Sequence, residues 1–138
     1  MIIADTNVVS EFMRDQPDPH VLGWAQRLGP TEVTICVVTV EEIERGLGSL
    51  PAGRRRTALD QRWQQLLRRF TEGIATYDVP AAQATAHVLV EAAGSGHPMA
   101  LADAQIAGIC LARGDQLATR NTKDFGHIRG LNLVNPFA

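Results

Sequence analysis

Short apolar runs rich in β-branched residues alternate along the chain with longer stretches whose apolar positions recur every three or four residues. The first run, Met1-Ile2-Ile3-Ala4, stops at the polar triplet Asp5-Thr6-Asn7, which predicts a buried strand entering a turn. Residues 7–13 then predict a short helix with Val8, Val9 and Phe12 turned inward, closed by Gln16-Pro17-Asp18-Pro19. Pro19 opens a second helix, striped by Val21, Trp24, Ala25 and Leu28 and stopped by Gly29-Pro30. Residues 33–38 read as a second strand, and a helix follows from Thr39 to about Gly46-Leu47-Gly48. Residues 54–70 carry the clearest stripe: Leu59, Trp63, Leu66, Leu67 and Phe70 share one face, with Arg54, Arg68 and Arg69 opposite. A third strand is predicted over 74–79, and an alanine-rich helix over 80–93 closed by Gly94-Ser95-Gly96. A helix over 101–113 ends at Gly114. Residues 116–119 make a fourth strand, and residues 131–134 a last one after the turn Arg120-Asn121-Thr122-Lys123-Asp124-Phe125.

Strands alternating with helices predict an α/β fold, a parallel sheet of four to five strands with helices on both faces. The alanine-rich helix is apolar nearly all round, through Ala81, Ala84, Ala86, Val88, Leu89, Val90 and Ala92. That pattern predicts burial on two sides, and a homodimer is the simplest way to supply the second.

With 138 residues the chain is expected to make one domain over 1–138. Its 45% hydrophobic and 20% charged residues are those of an ordinary soluble globular protein. A net charge of −2 gives no global attraction for nucleic acid, so any such contact needs a local patch. Arg54-Arg55-Arg56 begins a helix where the macrodipole disfavours cations. That conflict leaves Arg54, Arg68 and Arg69 either a solvated face or an RNA or partner contact. The first apolar run is too short for a signal peptide and no 18 apolar residues run together, which predicts a cytoplasmic protein with no membrane association. Cys36 and Cys110 lack metal-ligand or redox spacing and are expected in the core.

Four acids change this picture. Asp5 follows strand one, Glu42 lies one turn into the helix after strand two, Asp103 starts the helix feeding strand four, and Asp124 falls just beyond that strand. In a parallel sheet all four can meet at the carboxyl edge, where ligands bind in open α/β folds. Clustered carboxylates repel one another unless a cation compensates, and Mg²⁺ or Mn²⁺ suits an all-oxygen site. Two ions about 3.5–4 Å apart could clamp the attacking and leaving oxygens of a phosphodiester. Each acid also has a structural reading. Thr39-Val40-Glu41-Glu42 matches a capping box, Asp103 suits a helix dipole, and Asn121 with Asp124 suits an N-cap. Four coincidences at one edge favour the joint chemical reading. There is no G-x-G-x-x-G after a strand and no P-loop motif, and His20, His87, His97 and His127 lack zinc-like spacing. His97 reads as a loop residue, because a divalent ion lowers the pKa of water without needing a side-chain base.

Asp5-Thr6-Asn7 after an apolar strand, Thr39-x-x-Glu42-x-x-x-Gly46, Ala102-Asp103-Ala104-x-Ile106-Ala107 and Ala118-Thr119-Arg120-Asn121-x-x-Asp124-Phe125 together resemble the PIN domain of VapC-type toxins. The ending Leu133-Val134-Asn135-Pro136-Phe137 resembles the FitB-like branch. The resemblance spans the whole chain and implies a Mg²⁺- or Mn²⁺-dependent ribonuclease. It would be the toxin of a type II pair, held inactive by a small antitoxin and touching DNA only through it. The family's acids map onto Asp5, Glu42 and Asp103. Its fourth acid commonly falls where this chain has Asn121, with Asp124 three residues on, so either residue can fill that place. Thr6, Asn7 and Thr119 would orient the carboxylates or waters. Arg120, in the same motif, joins the arginines that could meet RNA or a partner. The competing reading is a non-catalytic binding module of the same fold, working in an antitoxin and operator DNA complex.

Overall fold

The structure, a computed structural model, describes residues 1–70 and 73–138. The elements in chain order are β1 (Ile2–Ala4), α1 (Thr6–Phe12), α2 (Pro19–Gln26), β2 (Val33–Thr34), α3 (Val37–Gly48), α4 (Arg54–Phe70), α5 (Val79–Gly94), α6 (Leu101–Arg113), β3 (Gln116–Ala118), α7 (Thr122–Phe125) and β4 (Leu133–Val134). The strands form one parallel sheet in the order β2-β1-β3-β4. Ile3 pairs with Thr34 and Leu117, and Ala4 with Ala118, which pairs in turn with Val134.

Alternation along the strands divides the core in two, because successive side chains leave opposite faces of the pleat. Ile3, Leu117 and Leu133 face one cluster, built on α5, α6 and the Phe125–Ile128 segment. Ile2, Ala4, Val33, Ala118 and Val134 face the other, with α1 to α4 and the fully buried Trp63. Helices thus cover both faces of the sheet.

The helix pair α5 and α6 packs closely through Gly108. A Cβ there would lie 2.0 Å from Thr85 Oγ1 and 2.8 Å from the Ala81 carbonyl oxygen. Thr85 turns its hydroxyl away by donating to that same carbonyl at 2.8 Å. The close approach fixes α6, and with it Asp103. On the other side Glu11, buried at the end of α1, accepts the Asp18 backbone N–H at 2.8 Å and pairs with Arg14 at 3.2 Å. This joins the end of α1 to the start of α2.

Several expected boundaries move. Residues 74–79 do not form a strand: Ala75 alone bridges to Cys36, donating to Ile35 O and accepting from Val37 N, both at 2.9 Å. Its partner runs out, because Val37 already starts α3, and Asp78 then caps α5 by accepting the Ala81 N–H. The second strand shortens for the same reason, to Val33–Thr34 instead of 33–38. Helix α3 begins two residues before Thr39, and its N-cap is Cys36, so the expected capping box does not form. The last strand is Leu133–Val134 rather than 131–134. Helix α5 is buried on one side only, by Ala81, Thr85, Val88 and Ala92, while Val90 is 72% and the neighbouring Val79 70% exposed. Cys36 and Cys110 are free and buried, and burial pushes both thiols up from their ordinary pKa.

Candidate active site

A parallel sheet sends every strand's carboxyl end to one edge. Asp5 is the first residue beyond β1 and Thr119 the first beyond β3, and their predecessors Ala4 and Ala118 are paired neighbours. Asp5 and Thr119 therefore stand side by side. The Asp5 carboxylate is buried and held from three directions. Its Oδ1 caps α1 by accepting the Thr6 backbone N–H at 2.8 Å. Its Oδ2 accepts the Thr119 hydroxyl at 2.7 Å and the Asn7 amide at 3.1 Å. Thr119 also accepts the Asn121 backbone N–H at 3.0 Å, and Asn7 Oδ1 accepts the Arg120 backbone N–H at 3.2 Å. Those bonds fix the polarity of both side chains.

A second chain of hydroxyls reaches Glu42. Thr6 Oγ1 donates to Glu42 Oε1 at 2.7 Å and lies 3.1 Å from Thr39 Oγ1. A hydroxyl has one proton, so Thr39 donates to Thr6 and Thr6 to Glu42. Thr39 is fully buried, while Thr6 and Glu42 are half-buried. Glu42 is thus drawn into the site by Thr6 and plays no part in capping α3.

The other two acids are held differently. Asp103, in the first turn of α6, and Asp124, in α7, line a cavity of about 280 Å³ with His97, Pro98, Met99, Ala100, Lys123 and His127. Among the described residues no hydrogen bond reaches the Asp103 carboxylate. Desolvation, with the charges of Asp5, Glu42 and Asp124, pushes its pKa up to about 6. For Asp5 burial also raises the pKa, aided by Glu42 and opposed by the bonds from Thr119, Thr6 and Asn7.

Asp5, Glu42 and Asp124 therefore each lie within electrostatic reach of Asp103, and among the described residues none of the four acids is in an ion pair with a cation. Among the described residues no three His, Cys, Asp or Glu side chains form a ready-made metal group. The donor set is carboxylate oxygen throughout, which fits a hard divalent cation that keeps part of its water shell.

Asn121 occupies the N-cap position of α7 but makes no side-chain capping bond; its contribution is the backbone N–H given to Thr119. Asp124 shares the cavity with Asp103 and raises its pKa. The arginines do not form one patch. Arg68 and Arg69 line a groove of about 580 Å³ with Phe12, Arg62 and Leu66. Arg54, at the opposite end of α4, is about 21 Å away along the helix axis at 1.5 Å per residue. Arg120 stacks its guanidinium 3.8 Å from the centroid of the Phe137 ring. The cavity also gathers His97, Lys123 and His127, which no motif in the sequence groups together. His127 falls three residues after Asp124, a spacing that could have flagged it.

Fold and site together define a class: parallel α/β proteins whose carboxyl edge gathers several acids. The family model described as "PIN domain" matches residues 2–131. The chain is 34% identical over 138 residues to VapC ribonuclease Y4jK of Sinorhizobium fredii, covering 99% of this chain and 98% of that one. It is 34% identical over 126 residues to Toxin FitB of Neisseria gonorrhoeae, covering 91% of each. The solved structure of FitAB bound to a DNA fragment overlays with a TM-score of 0.89 at 31% identity, covering 100% of this chain and 96% of that one. The chain belongs to the PIN-domain family, among its VapC and FitB members.

Proposed function

We propose that the chain is the toxin of a type II toxin–antitoxin pair and an endoribonuclease. It would hydrolyse RNA phosphodiesters with Mg²⁺ or Mn²⁺ held by Asp5, Glu42, Asp103 and Asp124. The observation that carries this reading is the gathering of four carboxylates at one edge without a paired cation among the described residues: Thr6 joins Asp5 to Glu42, Asp103 shares a cavity with Asp124, and burial together with the other three charges raises the Asp103 pKa to about 6. A scaffold has no reason to hold such repulsion, whereas a divalent ion turns it into binding energy. The similarity to VapC ribonuclease Y4jK and Toxin FitB supports the same reading.

Thr119, Thr6 and Asn7 hold Asp5 in one orientation, and their hydrogen bonds favour its ionised form against the effect of burial. Thr6, supported by Thr39, aims Glu42 at the same edge. Asp103 and Asp124 remain free to turn toward a cation. When bound, the ion would polarise the phosphodiester and lower the pKa of a nucleophilic water.

The partner of this chain would be a small antitoxin, and its contact with DNA would run through that partner, in line with the DNA-bound FitAB structure. The exposed strip of Val79 and Val90 would close a homodimer, which light scattering at high concentration checks directly.

Purified, antitoxin-free protein incubated with total RNA tests the reaction. Cleavage is expected with Mg²⁺ or Mn²⁺ and lost in chelator, and cleavage that persists in chelator refutes the mechanism. The second reading, a non-catalytic binding module, draws on the open arrangement of the acids. It predicts no cleavage under any ion while the antitoxin complex still forms.

A further inference from the structure

We propose that the cavity beside Asp103 and Asp124 is a nucleobase subsite, in which His97 and His127 stack one unpaired base of the RNA strand next to the cleaved phosphodiester. This rests on the ribonuclease reading and goes beyond it by naming the residues that would hold the substrate.

The two rings are stacked on each other, so a base would continue the stack on the outer face of the pair. Their centroids are 5.2 Å apart and their planes 25° from parallel. They come from separate parts of the chain, and each accompanies one of the free acids. His97 lies in the loop that leads into α6 and Asp103, and His127 follows α7 and Asp124. Both are anchored from behind. The His97 backbone N–H donates to the Ala92 carbonyl at 2.9 Å, and His127 sits between the buried Phe125 and Ile128. The platform is therefore fixed by the same core that fixes the acids.

The cavity matches a base in size and charge. Its volume of about 280 Å³ would take roughly nine waters at about 30 Å³ each, ample room for one flat base, whose bonded atoms pack more tightly than separate waters. An anionic small molecule entering it would meet Asp103 and Asp124. A neutral base adds no charge against them and leaves both carboxylates to the cation. Met99 supplies an apolar wall, and Lys123 is a cation with no carboxylate partner among the described residues, free to meet the backbone phosphate. Unpaired RNA bases are commonly held by stacking on aromatic side chains, histidine included, and such stacking tolerates different sequences.

The test uses full-length Asp5→Asn protein with Mg²⁺ and short single-stranded oligoribonucleotides carrying 2-aminopurine at successive positions, whose emission is quenched on stacking. A quench confined to one position is expected. His127→Ala and His97→Ala should each abolish it and weaken binding about 30-fold, the middle of the range for removing one stacked base. His127→Phe should restore both, because it keeps a flat ring. The proposal is overturned if the alanine variants bind and quench like the parent, or if His127→Phe behaves like His127→Ala. Both histidines are exposed, so these variants retain the core. Cleavage by the protein with Asp5 intact is scored separately. Cleavage without a localised quench rejects the subsite alone, and a localised quench without cleavage rejects the ribonuclease reading alone.

Discussion

The two halves of the acidic site are built on opposite plans. At the β1/β3 edge, Asp5 is buried and receives three hydrogen bonds, and Glu42 is tied to it through Thr6. At the α6/α7 rim, the Asp103 carboxylate takes no bond among the described residues and Asp124 stands exposed. One half is preorganised by neighbours that hold a single geometry; the other stores repulsion that a cation can relieve. Removing a neighbour should therefore harm the first half through geometry, and removing an acid should change the second through charge.

The largest effect tests whether the halves work as one. Asp5→Asn or Asp103→Asn should reduce metal-dependent RNA cleavage to background while the protein stays folded by circular dichroism. Full activity in either variant would leave the cluster without a catalytic role. Next comes the orientation of the locked half. Thr119→Val keeps the volume but removes the donor to Asp5, and should cost about 10–100-fold in metal affinity, read as the half-point of a Mn²⁺ titration of activity.

The rim then separates its two candidates for the fourth acid. Asp124→Ala should raise the Mn²⁺ half-point, and Asn121→Ala should leave it near its starting value, since Asn121 acts through its backbone N–H. Asn121→Asp should lower it by adding charge beside the site. The opposite ranking of the two alanine variants would hand the fourth position to Asn121.

The smallest effect is on stability. Asp103 keeps its proton in the folded chain up to about pH 6, whereas in the unfolded chain it ionises near its ordinary value of 3.8. Between those values the folded state binds more protons, so metal-free stability should fall as pH rises from about 4 to 6. Asp103→Asn should flatten that slope and gain on the order of 1 kcal/mol at neutral pH, a figure discounted for the partial exposure of the group. Thermal melts across that range in chelator measure it. Asp5→Asn should show no such gain, because the new amide cannot accept all the bonds that Asp5 now accepts.

Much of this arrangement follows from local chemistry. The apolar run ending at Asp5, the stripe of α4 and Gly114 closing α6 each follow from the preferences of a few adjacent residues. Residues 74–79 escaped such reasoning. Their composition favours extended chain, but a strand needs a partner, and the chain beside them turns into α3 after Cys36. The Thr39 to Glu42 spacing left two readings open, a cap or a place at the acidic edge, and the tertiary contact to Thr6, 36 residues away in sequence, excludes the cap.

The sequence by itself determined the strand and helix alternation, the parallel sheet and the identity of the acids that its carboxyl edge gathers, because pattern and topology are encoded residue by residue. Only the tertiary structure decided which acids are held and which are free, that Asp124 rather than the Asn121 side chain bears on Asp103, and that His97 meets His127 across 30 residues of chain. Those facts depend on distances between segments far apart in sequence, and such distances are set by how the two cores pack against the sheet.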